Sequence, residues 1–221
     1  MKQQVSRLIS QPGPLAENEV KELLKAYGIP TTDFKVVKSE KDLGSLGLRF
    51  PVVLKVCSRT ILHKTDVGGV KLGIRDPAEL KAALVAMQKK FPGESFLVEE
   101  MMNPGIEIII GLVQDPSFGL CEMVGIGGIF TELYKDVTFR VVPVTHQDAE
   151  EMMDEIRGKK LFEGFRHIRA DKEAIVDLIV KISCLGEDLI NEVDQLDLNP
   201  VFVYADSVCV VDAKMIVKKQ G

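Results

Sequence analysis

Two rhythms of hydrophobic positions alternate along the chain, and the switches between them mark out its elements. From Ala16, residues Val20, Leu23, Leu24 and Tyr27 recur at the spacing of one helical face, and Gly28 with Pro30 ends the pattern. Phe34 to Val37 predicts a short strand, and Ser39 with Asp42 three residues on predicts a capped helical turn. Phe50 to Cys57 is a nearly continuous apolar run, as in a strand buried on both faces. Asp76-Pro77 is a cap and first-turn pair for a helix carrying Leu80, Ala83, Leu84 and Met87, which ends at Phe91-Pro92-Gly93. Strand patterns then crowd together at Ser95 to Met102, Ile106 to Gln114 and Leu120 to Ile126, joined by turns short enough for antiparallel neighbours. Val137 to Pro143 adds a strand, and Thr145 with Asp148 opens a helix containing Met152, Met153 and Ile156. Asp171 begins a longer helix, predicted to run to about Val193, with Ile175, Leu178, Ile179, Ile182, Leu185 and Leu189 on its buried stripe.

The chain closes on a β-hairpin pattern: Gln195 to Pro200, a polar turn at Tyr204 to Ser207, then Val208 to Lys214. A turn centred between Ala205 and Asp206 places Asn199 opposite Asp212, with Asp197 two residues away on the same face. Opposed Cβ atoms lie roughly 5 Å apart and diagonal ones roughly 7 Å, so two carboxylates and an amide oxygen can converge on one cation. Such an all-oxygen site suits Mg²⁺, with water and phosphate oxygens completing the shell. The same register sets Lys214 opposite Asp197, and a plain ion pair there is the alternative.

Composition narrows the classes. With 46% hydrophobic and 28% charged residues in 221, the chain is of ordinary globular type, long enough for one large domain or two lobes. Its formal net charge of −5, without a basic block, disfavours nucleic acid and anionic membrane as partners. No apolar run approaches the ~20 residues that span a bilayer, and Met1 to Pro14 lacks a signal-peptide layout, so a cytoplasmic location is expected. That first stretch, ending in Gln-Pro-Gly-Pro, is expected to be a poorly ordered lead-in. Cys57, Cys121, Cys184 and Cys209 are widely spaced in apolar segments and read as small buried hydrophobes.

Several charged side chains stand inside apolar patterns. Lys55 sits within the doubly buried strand and must find an anion or snorkel to solvent from a strand edge. Glu99 and Glu100 are adjacent, so one faces each side of their strand; Glu107 and Arg140 also lie in apolar strands. The loop after Lys55 carries His63 and the pair Gly68-Gly69, whose backbone can cradle phosphate. Gly125-Ile126-Gly127-Gly128 forms a second glycine turn, but fits no dinucleotide fingerprint, and no Walker loop is present. His146 at a helix start and His167 in a basic connection suit structural or solvated roles better than His63 does.

In order, these signals resemble the ATP-grasp fold, an α+β architecture of two lobes with nucleotide between them. More narrowly, Lys21 to Pro30, Ile61 to Val70 and Gly127 to Asp136 resemble the nucleotide-binding β subunit of ADP-forming acyl-CoA synthetases, relatives of succinyl-CoA synthetase. The resemblance implies a lead-in over residues 1–14, a small lobe over 15–95 and a large lobe over 96–221. It implies that Lys55 holds phosphates of ATP or ADP, that Glu99, Glu100, Met101 and Met102 form the hinge carrying the adenine, and that Glu107 lies near the nucleotide. It also implies Gly68, Gly69, Gly127 and Gly128 as phosphate loops, Arg140 facing the γ-phosphate, and Asp197, Asn199 and Asp212 holding Mg²⁺. His63 corresponds to a transiently phosphorylated histidine, and a separate CoA-binding α subunit is the implied partner. A lone carboxylate–amine ligase and a non-catalytic nucleotide sensor are the competing readings.

Overall fold

The structure, a computed structural model, describes residues 2–128, 136–164 and 169–219. Two antiparallel sheets share the chain. The smaller holds β2 (Phe34–Val37), β3 (Val52–Cys57), β4 (Val70–Ile74) and β5 (Ser95–Glu100) in the order β2-β5-β3-β4. One face is covered by α3 (Pro77–Lys90), whose Leu80, Leu84 and Met87 meet Val52, Leu54, Val56, Phe96 and Val98. The Asp76 carboxylate caps this helix by accepting from the Glu79 amide at 2.8 Å.

The larger sheet is built from β1 (Gly13–Pro14), β6 (Ile106–Asp115), β7 (Gly119–Ile126), β8 (Val137–Val141), β9 (Val193–Val203), β10 (Val208–Val210) and β11 (Ala213–Val217). Its path runs β1-β11-β9-β6-β7-β8, with β10 also paired to β9. Helices α4 (His146–Glu155) and α5 (Lys172–Asp188) cover one face of this sheet through Met152, Met153, Ile175, Ile179 and Ile182. Ser183 in α5 accepts a hydrogen bond from the Val144 amide at 2.6 Å. The helix stops at Asp188, short of the expected Val193, because Val193 is already paired with Val217 in the sheet.

The first stretch is tied down: α1 (Lys2–Leu8) buries Val5 in the large core, and Gly13-Pro14 pairs with Val217-Ile216. Helix α2 (Glu17–Ala26) sends Val20, Leu23 and Leu24 into that same core, so it packs with the large sheet although the small sheet follows it. Strand β5 lies in the small sheet, and is not the neighbour of β6 that the short turn led us to expect. Both its edges are already occupied, by β2 and β3, so residues 101–105 cross to the other sheet.

The closing hairpin keeps the expected register. Val203 faces Val208, Leu198 faces Ala213 and Asp197 faces Lys214. Between Asn199 and Pro200 β9 slips by one residue against β6, where Ile108 pairs with Val201 but Ile110 with Leu198. Leu198, Val201 and Val203 therefore all stay buried, while Asp197, Asn199 and Phe202 lie on the face away from the helices.

Glu122 on β7 is fully buried in the large core, and neither of its oxygens has a hydrogen-bond partner among the described residues. Burial pushes its pKa well above the ordinary value. The folded protein thus holds a proton that the unfolded chain releases above its own carboxylate pKa, so stability falls as pH rises beyond about 4.3. Glu122→Met should stabilise the protein by about 1–3 kcal/mol at pH 7.5, with the gain shrinking toward pH 4. Urea melts at the two pH values check this.

Candidate functional site

Alternation along β3 sends Val52, Leu54 and Val56 toward α3 and Lys55 toward the other face, where α2 crosses the seam between the sheets. On that face lies a buried ionic cluster. The Lys55 ammonium is 2.6 Å from Glu99 Oε1, 2.8 Å from Glu17 Oε1 and 3.2 Å from Asp212 Oδ1, and it donates to the Val211 carbonyl at 3.0 Å. Lys21, fully buried, joins Glu17 at 3.2 Å, Glu99, Thr32 Oγ1 at 2.7 Å and the Val211 carbonyl at 3.0 Å. Lys64 bridges Glu17 Oε2 at 2.8 Å and Asp212 Oδ1 at 3.1 Å. Three ammoniums thus face three carboxylates, and the formal charges cancel.

Electrostatics follow from that balance. Burial pushes the Glu17 carboxyl up, but Lys55, Lys21 and Lys64 outweigh it and hold the group well below the usual carboxylate range. Burial likewise opposes the charge on Lys55, yet Glu17, Glu99 and Asp212 raise its pKa well above the ordinary value. Lys64 is raised for the same reason, chiefly by Glu17 and Asp212 against burial.

Beside the cluster a cavity of about 490 Å³ opens between the sheets. Lys55, His63, Lys64, Asn199, Asp212 and Lys214 give it polar groups, while Val70, Leu72, Pro200, Phe202 and Val211 give it an apolar wall. The Asn199 amide donates to the Asp212 carbonyl at 3.2 Å, which holds the two residues side by side on the hairpin. Asp197 lies on the same face, with Lys214 Nζ 3.9 Å from its Oδ2. Burial raises the pKa of Asp197, Asp212 raises it further, and Lys214 and His63 act in the opposite sense. Asn199 and Asp212 line the cavity and Asp197 follows on the same face of the hairpin, so an amide oxygen and two carboxylates offer the hard-oxygen donors that Mg²⁺ takes. The metal and ion-pair readings of Asp197 are thus compatible.

The other expected residues divide. Glu99 is buried in the ionic cluster, and Glu100 faces the opposite way to Arg49 at 2.9 Å. Neither lines the cavity. Met101 and Met102 begin the crossing between the sheets, where the Met101 amide donates to the Pro51 carbonyl at 3.0 Å. Glu107 pairs with cavity-lining Phe202 across β6 and β9, which puts it on the cavity face. The glycine turns are used internally. The Gly69 amide donates to the Lys64 carbonyl at 2.6 Å, Gly68 to Thr65 at 2.9 Å and Gly127 to Glu107 at 2.8 Å, so these N–H groups are not offered to phosphate. A Cβ at Gly69 would lie 2.6 Å from Val56 Cγ1, so glycine is required there for close approach of loop and strand.

Arg140 is not brought to this site. It stands on edge strand β8, three strands or about 14 Å from β9. Its register partner Glu122 lies on the helix-covered face, and its guanidinium reaches Glu155 at 2.6 Å. Phe139, one residue earlier, shares the face of Asp197. His146 pairs with Glu173 at 3.1 Å outside the site, whereas His167 and residues 129–135 of the second glycine motif lie outside the described residues. Sequence reasoning overlooked Glu17, Lys21 and Lys64. The first two form an i,i+4 pair that looks like a surface ion pair, and only the burial of the neighbouring Lys55 hinted that carboxylates must come to it.

The model of the ATP-grasp domain matches residues 8–217. The chain belongs to the ATP-grasp family. Among ATP-grasp relatives, it is 41% identical over 215 residues to the β subunit of acetate–CoA ligase [ADP-forming] I from Pyrococcus furiosus, covering 92% of this chain and 91% of that one. It is 40% identical over 210 residues to acetate–CoA ligase [ADP-forming] II of Archaeoglobus fulgidus, where it spans only 30% of the longer protein. Among solved ATP-grasp structures, an acetyl-coenzyme A synthetase of Ca. Korarchaeum cryptofilum superposes with a TM-score of 0.82 and 40% identity over 93% of both chains. That protein is in complex with coenzyme A and Mg-AMPPCP, with its phosphohistidine segment pointing towards the nucleotide binding site. No described helix is long and apolar enough to cross a membrane.

Lys21→Met removes one cation from a neutral buried cluster and leaves Glu99 and Glu17 undercompensated. It should cost on the order of 3–5 kcal/mol in urea denaturation, far more than removal of an exposed pair such as Arg75–Glu79.

Proposed function

We propose that this chain is the nucleotide-binding subunit of an ADP-forming acyl-CoA synthetase. With a CoA-binding partner subunit it converts acyl-CoA, ADP and phosphate to free acid, CoA and ATP, reversibly. The observation that carries the reading is the convergence of His63, Asn199 and Asp212 on one cavity between the sheets. Near full-length identity to β subunits of acetate–CoA ligases supports the same assignment.

Phosphoryl transfer depends on alignment and charge neutralisation more than on unusual side-chain reactivity. His63 stands exposed at the cavity mouth, open to a donor from outside this chain. Its imidazole accepts the phosphoryl group from a phosphohistidine of the partner, forming the new N–P bond as the old one breaks, and a terminal oxygen of ADP then takes that group from His63. Asp197, Asn199 and Asp212 are the residues that would hold Mg²⁺, which would offset the charge of the phosphate oxygens. The wall of Val70, Leu72 and Phe202 takes the adenine ring and excludes water around it. Lys55 and Lys64 hold Asp212 in place from behind. Use of ADP, phosphate and CoA fits a cytoplasmic location.

The test mixes the purified chain with its partner subunit, radiolabelled phosphate, acetyl-CoA and Mg²⁺. Acid-labile, base-stable label should appear on this chain, be lost in His63→Ala and pass to ATP when ADP is added. Label confined to the partner, with ATP still formed by His63→Ala, would overturn the relay through His63.

A further inference from the structure

The loop that carries His63 is gripped at both ends by the first turn of α2. Every second residue from Lys55 onward meets that turn. Lys55 is 2.8 Å from Glu17 Oε1, Cys57 Sγ donates to Asn18 Oδ1 at 2.9 Å, and the Arg59 guanidinium forks onto Glu19, Nε to Oε2 at 2.9 Å and Nη2 to Oε1 at 2.6 Å. Beyond residues 60–63, Lys64 returns to Glu17 Oε2 at 2.8 Å. Residues 60–63 therefore span two fixed points, and His63 stands exposed at the end of the span, on the cavity. The Ser58 hydroxyl, accepting from the Thr60 amide at 3.1 Å, tightens the turn out of Arg59. The two grips differ in burial. Lys64 is buried in the ionic cluster, whereas the side chains of Arg59 and Glu19 are 39% and 24% exposed, so global stability depends little on their pairing.

We infer that Arg59 and Glu19 are positioning residues for His63: their pairing sets where the imidazole stands, and so governs the rate of phosphoryl transfer rather than the affinity for nucleotide. The inference deepens the phosphohistidine reading above and rests on it. A histidine that takes a phosphoryl group from outside the chain and passes it to ADP must meet two partners in turn, each in line. A displacement of about 1 Å costs such a step on the order of 100-fold. With Lys64 alone the loop is pinned at one end, and the backbone of residues 60–63 regains the torsional freedom that the second anchor removes. Glu19 makes that anchor stiff, because its Oε2 also accepts from the Ala16 amide at 2.8 Å in the capping box of α2. The carboxylate is thus oriented by the helix, and the planar fork of Arg59 fits it in one way. Arg59 and Glu19 stand outside the cavity lining, so they act on the reaction through His63.

Kinetics of the full chain with its partner subunit, acetyl-CoA, labelled phosphate, ADP and Mg²⁺ test this. Arg59→Met should lower kcat for ATP formation, and the rate at which label reaches this chain before ADP is added, about tenfold or more, while the KM for ADP changes less than about twofold. Glu19→Gln keeps an oxygen for the Ala16 amide and should lower the same rates by a smaller factor. Combining it with Arg59→Met should cost no more than Arg59→Met alone, since both break one contact. Arg59→Lys, which keeps the charge but not the fork, should recover part of the rate. Urea midpoints of the single variants should stay near wild type. Wild-type kcat in Arg59→Met, additive losses in the double variant, a raised KM for ADP, or a kcat that falls only with the urea midpoint would each overturn the inference and leave the relay intact. Label confined to the partner with the wild-type chain would overturn the relay and the positioning role together.

Discussion

Three lysines and three carboxylates gathered at one seam, all buried but the partly exposed Asp212, are the constraint on which the remainder depends. Each buried charge alone would be costly to desolvate, so Glu17, Lys21, Lys55, Lys64 and Glu99 must be brought together with Asp212 or not be buried at all. That requirement fixes α2 against the small sheet on one side while its apolar stripe fixes it to the large sheet on the other. It also fixes the loop carrying His63, because the very next residue is anchored in the cluster. The cavity edge that carries His63 is therefore positioned by charge balance behind it rather than by contacts within it.

Much of this was legible in the chain. The hairpin register follows from a polar turn flanked by aliphatic arms, and it holds from the Val203–Val208 pair to the Gln195–Ile216 pair because one slip would bury Asp197 and expose Leu196. Helix caps at Asp76, Thr145 and Asp171 were visible for the same local reason. Lys55 in a doubly buried strand had to find an anion or snorkel to solvent, and the fold brings it three carboxylates.

What sequence could not show is where distant segments meet. Glu17 and Lys21 look like an ordinary surface pair until α2 is laid across the seam. Residues 101–105 are as short as a hairpin turn, and nothing local says that β5 has no free edge. Arg140 has the right residue type for phosphate, but strand parity is decided by partners: Phe139 shares the open face with Asp197, and Arg140 shares the covered one with Glu122. The glycine pairs allowed phosphate cradles, yet the N–H groups of Gly68 and Gly69 close a turn and that of Gly127 reaches across to the Glu107 carbonyl.

The order of the strands has a mechanical meaning. The chain leaves the large sheet after α2, builds the whole small sheet, and returns through residues 101–105, so only two strands of backbone connect the halves. Both crossings lie side by side, since Phe34 pairs with Glu99 and the Glu100 amide donates to the Asp33 carbonyl at 3.1 Å. With its two connections adjacent, the backbone joins the small half to the large one along a single edge, and the Thr32 hydroxyl, donating to Glu99 at 2.7 Å, ties the charged seam to that same edge.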